Sequence, residues 1–570
     1  MMETAALISK AITSGDLKGA RKLVSNYLED YSVDADIEHL SGVIYQNEMD
    51  YEKAKTCFLN AAKYENTPVV LRLNLLKTHV ALKELQDAAE VAREIAESDN
   101  RALLYAAGDY LMVVRQYEIA ETFFRIAIKK HPFDNKLKSK LLQTLRRSTQ
   151  VAKALELLSD KEFVTRIDSD VLFELAVTLM EVRQDRLAED MYKKALEIDP
   201  NHSAALTGLA VILIQNGENE GGINLLERAM EIDENDTRPY LLLTNNSKYK
   251  PKKEHEDQLM KLYCSPDLPV SNRIEATFAL FNLFHRKNDH KAAFKYLIEA
   301  NHLVDERLDY DIDEDLENLR FRKQFAESIE YVKEKSACPI PIFIVGLPRS
   351  GTTLLEKIIT NHSEVASGEE LMLLPNMLAR HFVMEGGEVK GSSKLMRDEY
   401  FAKLKMLLPG GEEYICDKLP FNFNNLLLIK KILPESKILV IERNRYDVLF
   451  SNFSILYAGA ALPFSYNVDK LLKYCKNYDA VIAEFRDKYP DTPIIKYESL
   501  VSDPDAHIRQ IINYLGLKWE EGCLSPEKNS SSIRTASATQ IRSGINKQGI
   551  DRWAVYKDLM QEHAGHMMNE

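Results

Sequence analysis

The feature that most constrains the fold of this chain is a pattern that repeats about every 34 residues through its first half. The repeating unit pairs a small residue with aromatic residues at helical spacing, as where Ala54 stands between Tyr45 and Phe58. The small residue recurs at steps of 34, 32, 34, 34 and 34, at Ala54, Ala88, Ala120, Ala154, Ala188 and Gly222. Small residues let two antiparallel helices approach closely, and each hairpin needs a neighbour to cover its other face. The pattern therefore predicts an all-α solenoid of stacked hairpins.

This unit resembles the tetratricopeptide repeat, and the resemblance covers more than half of the chain. The array is predicted over 1–307, with irregular stretches at 1–34 and 237–273. The segment 308–337 opens acidic and continues as an amphipathic helix, so it is interpreted as a connector. Solenoids commonly bind extended partners on their concave face, and the resemblance therefore implies a protein or peptide partner. The alternative is an array that only packs against and orients the C-terminal domain.

The charge of the chain is acidic and unevenly spread. Of the formal net charge of −13, the first 337 residues carry −12, and no cluster of Lys and Arg stands out. No nucleic-acid partner is expected, because nonspecific binding there depends on neutralising phosphates. No run approaches the roughly 18 apolar residues of a membrane helix, and the chain opens without a basic and then apolar export signal, so a cytoplasmic protein with no membrane partner is expected. The six cysteines form no C-x-x-C pair, which disfavours a zinc ribbon or a disulfide framework.

A phosphate-binding unit is predicted near residue 339, where an apolar run begins. The run PIPIFIVG reads as a buried strand, LPRSG as a tight turn and TTLLEKIITNH as a helix. In such a unit the loop N–H groups and the positive end of the helix dipole converge on one anion. The spacing from Gly346 to Gly351 fits a nucleotide-triphosphate loop, but Thr352 stands where that loop requires Lys, and the basic residue comes earlier as Arg349. An enzyme that hydrolyses triphosphates is therefore disfavoured.

A second anion site is predicted about a hundred residues further on. The run SKILVIERN reads as an apolar strand that ends at Arg443, and the next helix carries Ser451 eight residues later. A guanidinium fork and a hydroxyl together suit a dianionic phosphate. The alternative is that Arg443 is a surface ion-pair partner of Glu442 or Asp447.

The motif P-R-S-G-T-T after a strand resembles the sulfotransferases, whose loop holds the 5′-phosphosulfate of 3′-phosphoadenosine 5′-phosphosulfate (PAPS). In that family an Arg at a strand end and a Ser eight residues later hold the 3′-phosphate, and a basic loop closes over the nucleotide. The segment Y-E-S-L also resembles the family, in which its tyrosine lies near the nucleotide; the alternative is a core tyrosine. The residues that the resemblance assigns to PAPS are Pro348, Arg349, Ser350, Gly351, Thr352, Thr353, Arg443, Ser451, Tyr497, Arg542 and Lys547. The implied fold for 338–570 is an α/β, P-loop-like domain with a central parallel sheet.

Three further positions resemble the protein-tyrosine sulfotransferases. Glu370 in SGEEL follows Arg349 by 21 residues, Lys418 lies in DKLPFN, and Ser537 precedes Trp553 by 16 residues. The resemblance implies that Glu370 removes the acceptor proton, that Arg349 and Lys418 stabilise developing charge, and that Ser537 donates to the leaving phosphate. Glu370 could instead be a helix-start carboxylate, and Lys418 a surface lysine at a strand end.

The expected activity is transfer of a sulfuryl group from PAPS to an acceptor hydroxyl, with 3′-phosphoadenosine 5′-phosphate (PAP) as product and no metal required. A protein or peptide tyrosine is the favoured acceptor; a carbohydrate or lipid-linked hydroxyl is the alternative. A repeat adaptor that binds nucleotide without turnover and a P-loop kinase are rival functions. The oligomeric state is left open. All of these expectations require the two anion sites to hold opposite ends of one donor molecule.

Overall fold

The computed structural model describes residues 2–65, 69–334, 339–529 and 544–563, apart from short gaps at 382, 386–387, 391, 408–411, 458 and 460. Its contacts divide the chain into two compact units, with the division between Leu209 and Ala210. Within the described residues no helix combines the length and the apolar character needed to cross a bilayer.

The first unit is built of helical hairpins. Its helices are α1 Met2–Thr13, α2 Leu17–Asp30, α3 Ala35–Asn47, α4 Tyr51–Ala61, α5 Leu71–Ala81, α6 Leu85–Ala96, α7 Arg101–Val113, α8 Tyr117–Lys130, α9 Asn135–Arg147, α10 Val151–Glu156, α11 Ser169–Glu181 and α12 Asp185–Ile198. Helix α13, Ser203–Asn216, runs across the division. The predicted all-α repeat array is confirmed.

The small residues of the repeat lie where the two helices of a hairpin meet. A Cβ atom added to Gly42 would stand 2.5 Å from the ring of Phe58, and one added to Gly108 would stand 2.6 Å from the ring of Phe124. These distances are too short for a real Cβ contact, so the aromatic ring occupies the space that a larger residue would need. The repeat spacing thus reflects helix packing, as the sequence predicts.

The second unit begins with the remaining hairpins. Its first helices are α14 Asn219–Ile232, α15 Arg238–Asn245, α16 Lys253–Cys264, α17 Val270–Arg286, α18 His290–Asp305 and α19 Ile312–Ser328. The shortest of these, α15, falls in the stretch 237–273 where the repeat is degenerate. Helix α19 lies in the segment 308–337 that the sequence predicts as a connector.

A parallel sheet forms the centre of the C-terminal part. The strands are β1 Ile340–Val345, β2 Val365–Ser367, β3 Val383–Glu385, β4 Glu388–Lys390, β5 Tyr414–Asp417, β6 Lys437–Glu442 and β7 Ile494–Lys496. Five of them pair in parallel in the order β2-β5-β1-β6-β7, and β3 and β4 form a separate antiparallel pair. The register sets Ile342 of β1 opposite Cys416 of β5, and Phe343 opposite Ile438 of β6. The predicted α/β domain with a central parallel sheet is confirmed.

Helices connect and cover these strands. They are α20 Thr352–Ile359, α21 Leu373–His381, α22 Ser393–Leu407, α23 Leu426–Ile432, α24 Arg445–Phe453, α25 Val468–Lys488, α26 Tyr497–Ser502, α27 Pro504–Leu515 and α28 Lys557–His563. Short 3₁₀ turns lie at Leu157–Ser159, Pro420–Asn425, Pro463–Tyr466, Glu521–Leu524, Pro526–Lys528 and Ala554–Tyr556. In open parallel sheets ligands bind beyond the carboxyl ends of the strands, which here are the loops after β1, β5 and β6.

The last repeat hairpin, α17 with α18, shares a hydrophobic core with the sheet domain. The OH of Tyr556 lies 2.7 Å from Nδ1 of His285, and the ring of Tyr556 stacks on Phe450. Asn301 donates through Nδ2 to the carbonyl oxygen of Phe453 at 2.9 Å, which is the C-terminal end of α24. Helix α24 is also the helix that carries the predicted site residue at 451. The hairpin of α17 and α18 therefore supports an element of the candidate site.

Candidate active site

The loop after β1 turns sharply by means of two left-handed residues. Gly351 has φ +106° and begins α20, while Arg349 has φ +71°, which is unusual for a residue with a side chain. A Cβ atom on Gly346 would stand 2.5 Å from the carbonyl oxygen of Ile441 and 2.7 Å from Ser350 Oγ, so glycine is required there. The loop therefore packs tightly against β6, with the N-terminus of α20 beside it.

The two predicted anion sites are adjacent. Arg349 Nε donates to Ser451 Oγ at 3.1 Å, and Asn452 Nδ2 donates to the carbonyl oxygen of Pro348 at 2.9 Å. Arg443 donates through Nη1 to the carbonyl oxygen of Arg349 at 3.0 Å. The loop after β1 and the helix after β6 are thus joined by three hydrogen bonds and form one site.

Arg443 connects this site to the C-terminal segment. Its Nη2 donates to the carbonyl oxygen of Gly549, and its guanidinium lies 4.7 Å from the ring centre of Tyr497. Burial raises the pKa of Tyr497, although the charge of Arg443 opposes the increase. A Cβ atom on Gly351 would stand 2.5 Å from the Tyr497 ring, so this ring also packs on the phosphate loop. A buried carboxylate, Asp447, lies 3.7 Å from Arg443.

The site concentrates positive charge. Enclosure by the protein lowers the pKa of Arg349, and repulsion from Arg552 and Arg443 lowers it further. Arg552 keeps an exposed surface, yet enclosure of its guanidinium and the nearby Arg443 lower its pKa as well. Asp447, which lies 3.7 Å from Arg443, opposes this and raises the pKa of Arg552. An anion of two or more charges would relieve this repulsion.

Unsatisfied polar atoms support the same interpretation. Ser350 Oγ, Arg443 Nε and one carboxylate oxygen, Asp447 Oδ1, are buried and have no hydrogen-bond partner among the described residues. Buried polar groups are normally hydrogen-bonded, and exceptions are typical of sites that bind a ligand or ordered water. The donor set of guanidinium, hydroxyl and loop N–H groups therefore fits a phosphorylated nucleotide.

A second loop places a carboxylate and a lysine beside the phosphate loop. Glu369 has φ +53°, and a Cβ atom on Gly368 would stand 2.8 Å from the carbonyl oxygen of Cys416, so the turn after β2 is tight. The backbone N–H of Lys418, just after β5, donates to the carbonyl oxygen of Glu369 at 2.8 Å. Lys418 Nζ in turn donates to Glu370 Oε1 at 2.6 Å, and Lys418 is only 2% exposed. The surface-lysine interpretation of Lys418 is therefore wrong.

These groups open into one cavity of about 540 Å³. Glu370, Arg349, Arg443 and Tyr497 line it together with Gly351. The remaining lining is largely apolar and comprises Leu354, Met372, Pro375, Leu419, Pro420, Phe421, Tyr457, Ala461 and Leu462 among others. Carboxylate, guanidinium groups and an apolar wall thus face the same space.

Other predicted residues take up different positions. Pro348, Thr352 and Thr353 line the same cavity as Arg349 and Gly351. Ser350 faces a smaller space of about 90 Å³ behind the loop, which Arg443 also borders. Lys547 is exposed, and neither it nor Lys418 or Ser451 is among the described lining residues of the main cavity. Ser537 and Arg542 lie outside the described residues. Sequence reasoning missed Arg552. The feature that could have indicated it is a basic residue directly before Trp553.

Comparison with known families agrees with this geometry. Residues 341–521 match the model of the sulfotransferase family. The chain carries a sulfotransferase domain. Two tetratricopeptide-repeat models match residues 169–202 and 186–245, ahead of this sulfotransferase domain.

Individual relatives extend the comparison. An uncharacterised protein of Aquifex aeolicus is 26% identical over 88% of this chain and 72% of its own length. Protein-tyrosine sulfotransferase 1 of Danio rerio is 24% identical over 45% of this chain and 77% of its own length. The sulfotransferase domain of the curacin biosynthetic pathway is 20% identical, covers 40% of this chain and 99% of its own, and has a TM-score of 0.30. The sulfotransferase domain here is therefore related to protein-tyrosine sulfotransferases.

Proposed function

We propose that this chain transfers a sulfuryl group from PAPS to an acceptor hydroxyl, with a protein or peptide tyrosine as the acceptor. The observation that carries the proposal is the shared cavity, in which the phosphate loop, Arg443 and Glu370 face one another, while Lys418 is hydrogen-bonded to Glu370 from outside the described lining. A phosphate-binding loop alone would serve many nucleotide enzymes. The carboxylate and lysine beside it provide the acid-base and charge-stabilising groups that transfer to a hydroxyl requires.

In this proposal different residues of the chain bind different parts of the donor. The loop from Pro348 to Thr353 and the N-terminus of α20 hold the 5′-phosphosulfate end. Arg443 and Ser451 hold the 3′-phosphate, and the unpaired Arg443 Nε supplies a further donor. Tyr497 packs beside them. The donor brings the activated sulfuryl group; the protein orients it and neutralises its charge.

The proposed transfer uses Glu370 and Lys418, whose charged groups lie 2.6 Å apart in this structure. Glu370 accepts the proton of the acceptor hydroxyl while that oxygen forms the new bond to sulfur. The bond between sulfur and the phosphate oxygen breaks, and its electron pair stays on the phosphate. Lys418 and Arg349 stabilise the negative charge that builds there. The proton therefore ends on Glu370 and the charge on the leaving phosphate.

The apolar wall of the cavity favours a phenol as acceptor. Leu419, Phe421, Tyr457 and Leu462 offer aromatic and aliphatic contacts around the space beside Glu370. A sugar would bury several hydroxyls against this wall without partners, which is costly. A phenol also has an ordinary pKa near 10 and needs less help from a carboxylate than an alcohol does. Relatives named as protein-tyrosine sulfotransferases point to the same acceptor class.

The repeat array gives this proposal a second component. Tetratricopeptide repeats typically mediate protein interactions, and an extended solenoid surface suits a peptide or a protein chain. We assign the array the task of binding the acceptor protein or a partner that delivers it.

The test is a transfer assay coupled to calorimetry. The wild-type protein, PAPS carrying labelled sulfate and a host lysate are incubated, and mass spectrometry locates the added sulfuryl groups on tyrosine or on glycan. Glu370→Gln should abolish transfer and leave PAP affinity within about two-fold, because it removes the proton acceptor alone. Glu369→Gln is the matched control and should remain active.

Three results would contradict the proposal. PAP binding without transfer by the wild type would indicate a repeat adaptor. A preference for ATP with magnesium over PAPS would indicate a kinase. Loss of PAP affinity in Glu370→Gln would assign Glu370 a structural role.

A further inference from the structure

Lys418 lies between two carboxylates, and only one of them has a role in the mechanism above. Its Nζ donates to Glu370 Oε1 at 2.6 Å and lies 3.8 Å from Oε2 of Glu356. Glu370 faces the cavity and keeps about two fifths of its side chain exposed, whereas the side chain of Glu356 is 2% exposed. The ammonium group therefore has a partner on the cavity side and another inside the protein.

Glu356 is held firmly in this position. It belongs to α20, the helix that begins at the phosphate loop, so its backbone is tied to the donor site. Its Oε1 accepts a hydrogen bond from Ser367 Oγ at 2.9 Å, and Ser367 ends β2 just before the loop of Glu370. The carboxylate thus joins the phosphate helix, the loop of Glu370 and Lys418.

The neighbouring charges show why this carboxylate matters to Lys418. Lys357 is buried beside it; burial lowers the pKa of that lysine, the charges of Glu356 and Glu369 raise it, and Lys418 lowers it. Asp417 is fully buried, and burial raises its pKa well above the ordinary value, although a hydrogen bond from Tyr400 and the charge of Lys418 oppose the increase. Burying an ammonium group without an opposite charge is unfavourable. Glu356 is therefore the internal partner of Lys418 when the charge of Glu370 changes.

We propose that Glu356 is a positioning residue for sulfuryl transfer, which keeps Lys418 at the leaving phosphate oxygen after Glu370 has taken the acceptor proton. The inference rests on the proposed function. Before transfer Glu370 is the short partner of Lys418. When Glu370 gains the proton it becomes neutral, the electron pair of the broken bond remains on the phosphate, and Lys418 must face that oxygen. The carboxylate of Glu356 then balances the buried ammonium from behind.

Steady-state kinetics test this role. Glu356→Gln should lower kcat about 10- to 100-fold, because a small displacement of a charge-stabilising group costs that much. The KM for PAPS and the affinity for PAP should stay within about two-fold, since Glu356 is not a donor-binding group. Glu364→Gln, an exposed glutamate before β2, is the matched control and should behave as wild type.

A double-mutant cycle separates positioning from general structural damage. If Glu356 acts through Lys418, then Glu356→Gln should cost little more in kcat once Lys418→Ala is present. Glu356→Asp, which keeps the charge on a shorter arm, should recover part of the lost kcat and serves as the test should the glutamine variant fold poorly. Effects that multiply in the double variant, or an aspartate variant as slow as the glutamine variant, would overturn the inference.

A structural readout does not depend on turnover. In a crystal structure of ligand-free Glu370→Gln, Lys418 Nζ should keep its ion-pair contact with Glu356 Oε2, which is 3.8 Å here. A Lys418 that turns away from Glu356 in this variant would refute the inference. These outcomes differ from failure of the proposed function, in which the wild type itself transfers no sulfuryl group from PAPS. If the wild type transfers no sulfuryl group, the structure of Glu370→Gln still shows whether Lys418 pairs with Glu356.

Discussion

Removing the last repeat hairpin should unfold the sulfotransferase domain. Helices α17 and α18 cover side chains of the domain that are almost fully buried, namely Phe450, Phe453, Tyr556 and Met560. Phe281 and Phe294 of the hairpin provide the other side of this contact, with ring centres 6.4 and 6.0 Å from that of Tyr556. A fragment of residues 308–570 would lack the hairpin while keeping the connector α19.

The expected loss of folding stability follows from the apolar surface that the hairpin covers. Full burial of a large apolar side chain stabilises by about 1.5–3 kcal/mol. If removal of the hairpin exposes half of each of four side chains, the loss is roughly 3–6 kcal/mol. The hydrogen bonds from Asn301 to Phe453 and between His285 and Tyr556 add about 1–3 kcal/mol for each group left unpaired. Since domains are typically stable by only about 5–15 kcal/mol, the fragment should be unfolded or nearly so.

The assay compares two fragments by circular dichroism, thermal unfolding and PAP calorimetry. Residues 203–570 retain α13 to α19 and should melt cooperatively and bind PAP. Residues 308–570 should show no cooperative transition and no PAP binding at room temperature. A cooperative transition for 308–570 near that of the longer fragment would refute the reasoning, because it would show that the hairpin is dispensable for the core.

Three further predictions concern single residues. Arg443→Ala should weaken PAP binding about 10- to 100-fold in calorimetry, because it removes charge-assisted hydrogen bonds to phosphate; unchanged affinity would show that Arg443 is not a phosphate ligand. Gly351→Ala should lower the melting temperature and the PAP affinity together, since φ is +106° and the new methyl would meet the Tyr497 ring; a melting temperature equal to that of wild type would contradict this. Burial, with repulsion from nearby cations, lowers the pKa of His285 to about 4 in the folded protein, against about 6.5 in the unfolded chain. The stability that the neutral imidazole contributes is therefore fully present above pH 6.5 and is lost as the pH falls toward 4. Urea unfolding should give about 2 kcal/mol less stability at pH 5 than at pH 8, and His285→Gln, which can still bond to Tyr556, should remove most of that difference.

Sequence alone predicts those parts of the fold in which the interacting residues lie close together along the chain. The repeat hairpins follow from small and aromatic residues at fixed spacing, since the contact between Gly42 and Phe58 lies within one unit. The strands β1 and β6 are continuous apolar runs between turns. By contrast, β2 is three residues long and has no periodic pattern, and its place at the sheet edge depends on pairing with β5.

The residues of the candidate site can likewise be separated into those with a local sequence motif and those without one. Arg349 and Ser451 are found by motif, and the structure brings them within one hydrogen bond. Arg552 has no motif of its own, because it reaches the site only through the path of the chain from residue 544 onward. Glu356 looks like an ordinary helix residue, and its relation to Lys418 depends on the parallel pairing that sets β5 beside β1 and β2. Contacts between distant segments thus account for what sequence reasoning missed.

The shared core gives the repeat array an energetic connection to the donor site. Asn301 closes the end of α24, and Phe450 on that helix stacks on Tyr556 directly before the predicted donor ligand Ser451. A ligand that binds only the folded form stabilises that form, so PAP bound at Ser451 and Arg443 should also stabilise the packing of α17 and α18. By the same linkage, a partner that binds α17 or α18 and favours this packing must increase the affinity for the donor. The hairpin therefore offers a physical route from a partner bound at α17 or α18 to the sulfotransferase domain.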